Sequence, residues 1–250
     1  MKAISFSFCA RLLLLIFFAA QSSAQSLSPS QEQTQQQRDD QEILPNGISR
    51  SALNAGPEYV KSIRAAATSF ASRDFEAALR HLTDADKIKP GLPDADDVRA
   101  AVYAEQHRFD LARELLGKVL KSHPDYFWPK FNLAEILLME KKPAEARAAF
   151  KKLPKLSGEV GEVIEFKIML TYLLEGNDAN AKEVLDHIKF PGDSAAYYFA
   201  HAAWDFAHND PGKARGWMNS GLRIFGMTRC YSLYDTLVDM GWVEPRGAAK

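Results

Sequence analysis

Six histidines are the side chains of this 250-residue chain best suited to hold a metal or move a proton: His81, His107, His123, His187, His201 and His208. Two imidazoles share an ion from one helix when they stand one turn apart, and no two of the six do so. His201 and His208, seven residues apart, would lie two turns apart on one face, and the six read as surface or inter-helix residues. Cys230 has Arg229 as its only local basic neighbour and shares an apolar stripe with Leu233, Leu237 and Met240, which suits a small core residue better than a thiolate nucleophile. Asp94 and Asp97 are paired carboxylates, but inside a charged run of the kind that keeps a helix face in water. Gly158, Gly161 and Gly176 are separate turn glycines, and no glycine-rich phosphate loop follows a strand. With no nucleophile flanked by a base and an orienting group, the expectation is a non-catalytic protein that needs no cofactor and no metal.

The elements that must carry these residues repeat. Ala78, Ala112, Ala146, Ala181 and Ala214 are separated by 34, 34, 35 and 33 residues. Six residues ahead of each comes a chain reversal, at Ser72-Arg73, Gln106-His107, Glu140-Lys141, Glu175-Gly176 and His208-Asn209. Four residues behind each comes a large apolar side chain, Leu82, Leu116, Phe150, Leu185 or Met218. Between these marks apolar residues fall at helical spacing, as in Val60, Ile63, Ala67 and Phe70, then Phe75, Ala78, Leu79 and Leu82, without strand-like alternation. Pro143 and Pro211 stand where the second helix of a pair begins, a place where the missing N–H has no intrahelical partner to lose. An all-α chain of about five helix-turn-helix units is expected, each alanine letting two helix axes come close.

This pattern resembles the tetratricopeptide repeat family, a 34-residue helix-turn-helix unit. The small residue of the first helix is present as Ala66, Ala100, Ala134 and Ala202, with Met169 the exception, and Pro90 and Pro124 end the first two units. Arg99 departs from the pattern, standing where an apolar residue is usual. The resemblance implies a right-handed α-solenoid with repeats at 57–90, 91–126, 127–160, 161–194 and 195–227, closed by a capping helix and tail at 228–250. It also implies an inner wall made by the first helix of each pair. Carried over residue by residue, the fifth repeat position is Ile63, Asp97, Phe131, Phe166 and Phe199, and the twelfth is Phe70, Ala104, Leu138, Leu173 and Phe206. Phe131, Leu138, Phe166, Leu173, Phe199 and Phe206, with Trp128 at the edge, would form an apolar groove. Asp94, Asp97 and Glu105, extended by Glu135, would make part of the wall acidic. Such a wall implies a protein or peptide partner with apolar anchors and some positive charge. The other fate of the phenylalanines is packing against the next repeat. Clamping of a peptide carboxylate by Lys130 and Asn132 is disfavoured by the nearby Asp94, Asp96 and Asp97.

The two ends of the chain have their own signatures. Lys2 and Arg11, the apolar run Leu12 to Ala20 and the small residues Ser22-Ser23-Ala24 read as a secretory signal cut after Ala24. The run is short of the roughly 20 residues a helix needs to cross a bilayer. A periplasmic or secreted protein is therefore expected, with an uncleaved membrane anchor as the alternative. Losing the signal reduces 31 basic residues to 29 against 32 acidic, and a net charge of −3 offers nucleic acid no handle. Cys230 is then the only cysteine, so no intrachain disulfide can form. Residues 25–56, dominated by Gln, Ser, Asp and Glu before turns such as Pro45-Asn46-Gly47, read as a disordered linker, with order beginning near Pro57. Thr228 to Gly241 reads as the cap of the stack, or else as a docking or dimer surface through Tyr231, Tyr234 and Trp242.

Overall fold

The computed structural model describes residues 48–188, 190 and 194–244, so the signal and most of the linker lie outside the described residues. Every regular element among them is an α-helix. A short α1 (Arg50–Asn54) precedes five pairs: α2 (Pro57–Ala71) with α3 (Phe75–Ile88), α4 (Pro93–Glu105) with α5 (Phe109–Ser122), α6 (Phe127–Met139) with α7 (Pro143–Lys151), α8 (Gly158–Leu174) with α9 (Asp178–His187), and α10 (Ala196–Ala207) with α11 (Pro211–Asp239). The all-α, tandem helix-turn-helix fold is thus the one that the spacing predicts. Two compact units divide it, one ending at Pro129 and the other beginning at Lys130. The alanines of the 34-residue series are completely buried, as are Ala66, Ala100, Ala134 and Ala202 in the first helices, which is the burial a close-approach spacer requires.

The turn inside each pair is built the same way five times. Arg73, His107, Lys141, Gly176 and Asn209 have φ of 58, 56, 59, 67 and 59°, the left-handed conformation that only glycine adopts freely. Each donates its N–H to the carbonyl three residues back: Phe70, Ala104, Leu138, Leu173 and Phe206. The next residue donates to the carbonyl five back, on Ser69, Tyr103, Leu137, Tyr172 or Asp205, which completes a Schellman closure of the first helix. A side chain in that conformation costs on the order of 1 kcal/mol, yet four of the five positions carry one. Three of those side chains have a partner, His107 meeting the Phe109 ring edge-on at 5.6 Å. Arg73 Nη1 lies 3.2 Å from Glu105 Oε2, and Lys141 Nζ donates to the Asp239 carbonyl at 3.4 Å. The residue after the turn opens the second helix. Asp74, Asn177 and Asp210 cap it by accepting from Ala77, Asn180 and Lys213 N–H, while Arg108 and Lys142 supply no such cap.

One expectation needs correction. Order begins ahead of Pro57: Ser49 Oγ accepts the Ala52 N–H as the N-cap of α1, and Ile48 and Ala52 are buried in one cluster with Tyr59, Val60, Ile63, Ala95 and Val98. At the other end, the helical path of α11 breaks at Gly226, whose φ of 75° and ψ of 159° separate two helices, and the second of them follows directly, close to the expected 228.

Candidate functional site

Ten of the side chains assigned by the sequence to the wall, Trp128, Phe131, Leu138, Phe166, Leu173, Phe199, Phe206, Asp94, Asp97 and Glu135, are buried. Phe131 packs edge-on against Phe150 of α7 at 5.7 Å between ring centroids, and Trp128 stands edge-on to Phe127 at 4.9 Å. Phe166 and Phe199 have no exposed surface. What lies over the wall differs in the two units.

Within residues 130–244 the wall is met by the chain's own C-terminal leg, which follows the bend at Gly226. Four contacts place it. Arg229 Nη2 pairs with Glu159 Oε2 at 3.5 Å, Lys167 Nζ donates to Thr236 Oγ1 at 2.6 Å, Lys141 reaches the Asp239 carbonyl, and Trp242 stacks on Phe206 at 6.0 Å with the rings 13° apart. Arg229 and Thr236 are seven residues apart, Glu159 and Lys167 eight, or about 10.5 and 12 Å at the helical rise. The leg therefore runs parallel to α8. Ser232, Leu233, Tyr234, Asp235, Thr236 and Leu237 are all buried, whereas Tyr231 and Val238 are half-buried and Asp239 is exposed, so the middle of the leg is enclosed and its ends are not.

At the centre of this contact is an ion pair that the sequence reading did not find. Lys167 Nζ lies 2.9 Å from Glu135 Oε2, with the two side chains 2 % and 1 % exposed. The lysine thus divides its protons between α6 and the C-terminal leg, and Thr236 Oγ1 passes its own proton to the Ser232 carbonyl at 2.7 Å. Burial on this scale is tolerated by a charge only when it is paired and hydrogen-bonded. Glu135 and Lys167 are 32 residues apart, close to one repeat, and that offset was the available signal.

In the unit that ends at Pro129 the acidic stretch is committed to other parts of the same chain. Ser49 donates twice to Asp94, from N to Oδ1 at 2.8 Å and from Oγ to Oδ2 at 2.6 Å. The carboxylate expected to meet a basic partner is held instead by the residue that caps α1. Burial, and next the Asp94 and Asp86 carboxylates, push the Tyr59 hydroxyl far above its ordinary range, so it remains a neutral core group. Arg99, the departure from the repeat pattern, pins α3 to α4 by reaching Asp86 at 2.6 Å and Asp96 at 2.5 Å.

His201, His208 and Cys230 each have partners within residues 130–244. His201 stacks on Trp217 at 4.6 Å, and burial lowers its pKa. His208 stacks on Trp204, and the Trp204 carbonyl together with Asp178 raises its pKa. Cys230 is buried with its Sγ donating to the Gly221 carbonyl at 3.5 Å, and burial pushes the thiol up to about 12. Among the described residues no three His, Cys, Asp or Glu side chains gather to hold a metal ion, and no helix is long and apolar enough to cross a membrane.

A family model described as a tetratricopeptide repeat matches residues 103–159, from the end of α4 through α5, α6 and α7 to the start of α8. Repeats of that family generally mediate interactions between proteins. No curated protein and no solved structure matches the chain.

Proposed function

We propose that this chain is a non-catalytic interaction scaffold, exported from the cell into the periplasm or beyond, that receives a segment of a protein partner on the wall formed by its first helices. One observation carries the reading: the wall within residues 130–244 already has a helix seated on it, through Glu159, Lys167 and Phe206. A surface that accommodates its own helix with ion pair, hydroxyl contact and aromatic stack has the complementarity for helix-in-groove recognition. Export is supported by Lys2, Arg11, the apolar run and the small residues ending at Ala24.

The test uses the mature chain as bait on an envelope extract, beside a Leu237→Asp variant whose C-terminal leg is destabilised on the wall. The reading expects the same proteins on both baits, more strongly retained by the variant. Equal background on both sinks it.

A second reading, a structural subunit of an envelope complex, draws on a different surface. Phe190 is 63 % and Ile224 56 % exposed, and Phe190 joins Tyr197, Tyr198, Trp217 and Phe225 in a continuous group of ring contacts. A chain that aggregates until co-expressed with a neighbour favours this reading; a well-behaved monomer favours the scaffold.

A further inference from the structure

The C-terminal leg is bound by the wall in the manner of a ligand, and its chemistry describes what the wall accepts. Its buried apolar residues are Cys230, Leu233, Tyr234 and Leu237, the last three spaced three, four and seven residues from the first. Its positive charge, Arg229, stands one residue ahead of that series against Glu159. Its hydroxyl, Thr236, meets the lysine of the buried ion pair. Three of the six consecutive buried residues are polar, namely Ser232, Asp235 and Thr236. That is a seam closer to an exchangeable interface than to a permanent core, since permanent contacts are richer in apolar side chains.

The joint is also suited to release. Gly226 has open space where a side chain would stand, so packing does not demand glycine there; only the left-handed φ of 75° does. On either side of it α11 is regular helix.

We propose that residues 228–244 are a built-in occupant of the wall, displaced about Gly226 when a partner supplies an amphipathic helix of the same chemistry: a basic residue, an apolar i, i+3, i+4, i+7 series, and a hydroxyl facing Lys167. The proposal rests on the interaction reading above and specifies its ligand. It requires the partner helix and the chain's own leg to compete for one surface, so binding of one must expose the other.

Cys230 reports that exposure. In the full chain with Cys9→Ser it is the only thiol, and it is buried on the leg. The probe is a synthetic peptide of residues 228–242 with Cys230→Ser, and the readout is the rate at which Cys230 reacts with a water-soluble aromatic disulfide under native conditions. Saturating peptide is expected to accelerate the reaction roughly tenfold, and a Thr236→Lys peptide, which sets a cation against Lys167, is expected to leave it unchanged. Gly226→Ala in the chain is expected to accelerate it about tenfold without peptide, by straining the bent form. No acceleration by the parent peptide, or the same acceleration by both peptides, overturns the proposal. A partner captured from the extract while Cys230 stays protected overturns it as well, and leaves the scaffold reading standing with its contact elsewhere.

Discussion

The buried pair between Lys167 and Glu135 allows a sharp test of what holds the C-terminal leg in place. At a separation of 2.9 Å and an effective dielectric of about 20, the attraction is about 6 kcal/mol. Removing two ions from water costs several kcal/mol each, so the net contribution of the pair to stability is near zero. Removing one member is a different matter, because the survivor stays buried without its counter-charge. Lys167→Met and Glu135→Leu should each lower stability by about 3–5 kcal/mol, whereas the double variant should lie within about 1 kcal/mol of the parent or above it. Thr236 keeps its bond to the Ser232 carbonyl in the double variant, so no hydroxyl is orphaned there. Guanidinium denaturation followed by helical circular dichroism measures all four corners of the cycle, and Cys230 reactivity on the same samples reads the leg separately. The double variant should show faster Cys230 reaction than the parent despite similar global stability, because the lysine contact that sets the leg's register is gone. Additive losses in the two single variants, or single losses below about 1 kcal/mol, refute the reasoning.

Other expectations follow from the same geometry. Gly176→Ala should cost about 1 kcal/mol in denaturation, since φ is 67° and no atom lies within 4 Å of the new Cβ, leaving conformational strain as the whole effect. Lys142→Asn, which supplies the cap that α7 lacks, should stabilise by about 1 kcal/mol in the same assay. Ser49→Ala should cost about 2–4 kcal/mol, because it removes both the α1 cap and one of the two bonds to the Asp94 carboxylate; cleavage near residue 50 by a low dose of protease should rise with it. The two histidines should titrate on opposite sides of 6.5 by NMR. His208, raised by the Trp204 carbonyl and Asp178, adds stability below the unfolded value that is lost as pH rises through its folded value. His201, lowered by burial, adds stability above the unfolded value that is lost as pH falls toward its folded value.

Local periodicity made most of the fold legible. A residue such as Ala112 or Leu116 is placed by its neighbours within a few residues, and the five turns fall where Ser72-Arg73 and its counterparts mark them. The fine structure of those turns was less legible, because Arg73, His107, Lys141 and Asn209 take a backbone conformation that their residue types do not announce. Order begins ahead of the expected Pro57 for a related reason. Ser49 looks like any linker serine until Asp94, 45 residues on, closes against it.

The sequence by itself determined the helix pairs and their register, because these depend on spacing within and between adjacent units. Only the tertiary structure decided what covers the first-helix wall. Phe206 is an open groove position on the repeat pattern alone, but a single glycine with positive φ, Gly226, redirects the last helix along α8 and Trp242 stacks on that ring. The bend depends on contacts such as Thr236 with Lys167, 69 residues apart in the chain. Such contacts leave no periodic trace, so the path of the last helix is settled by side-chain partners that folding alone brings together.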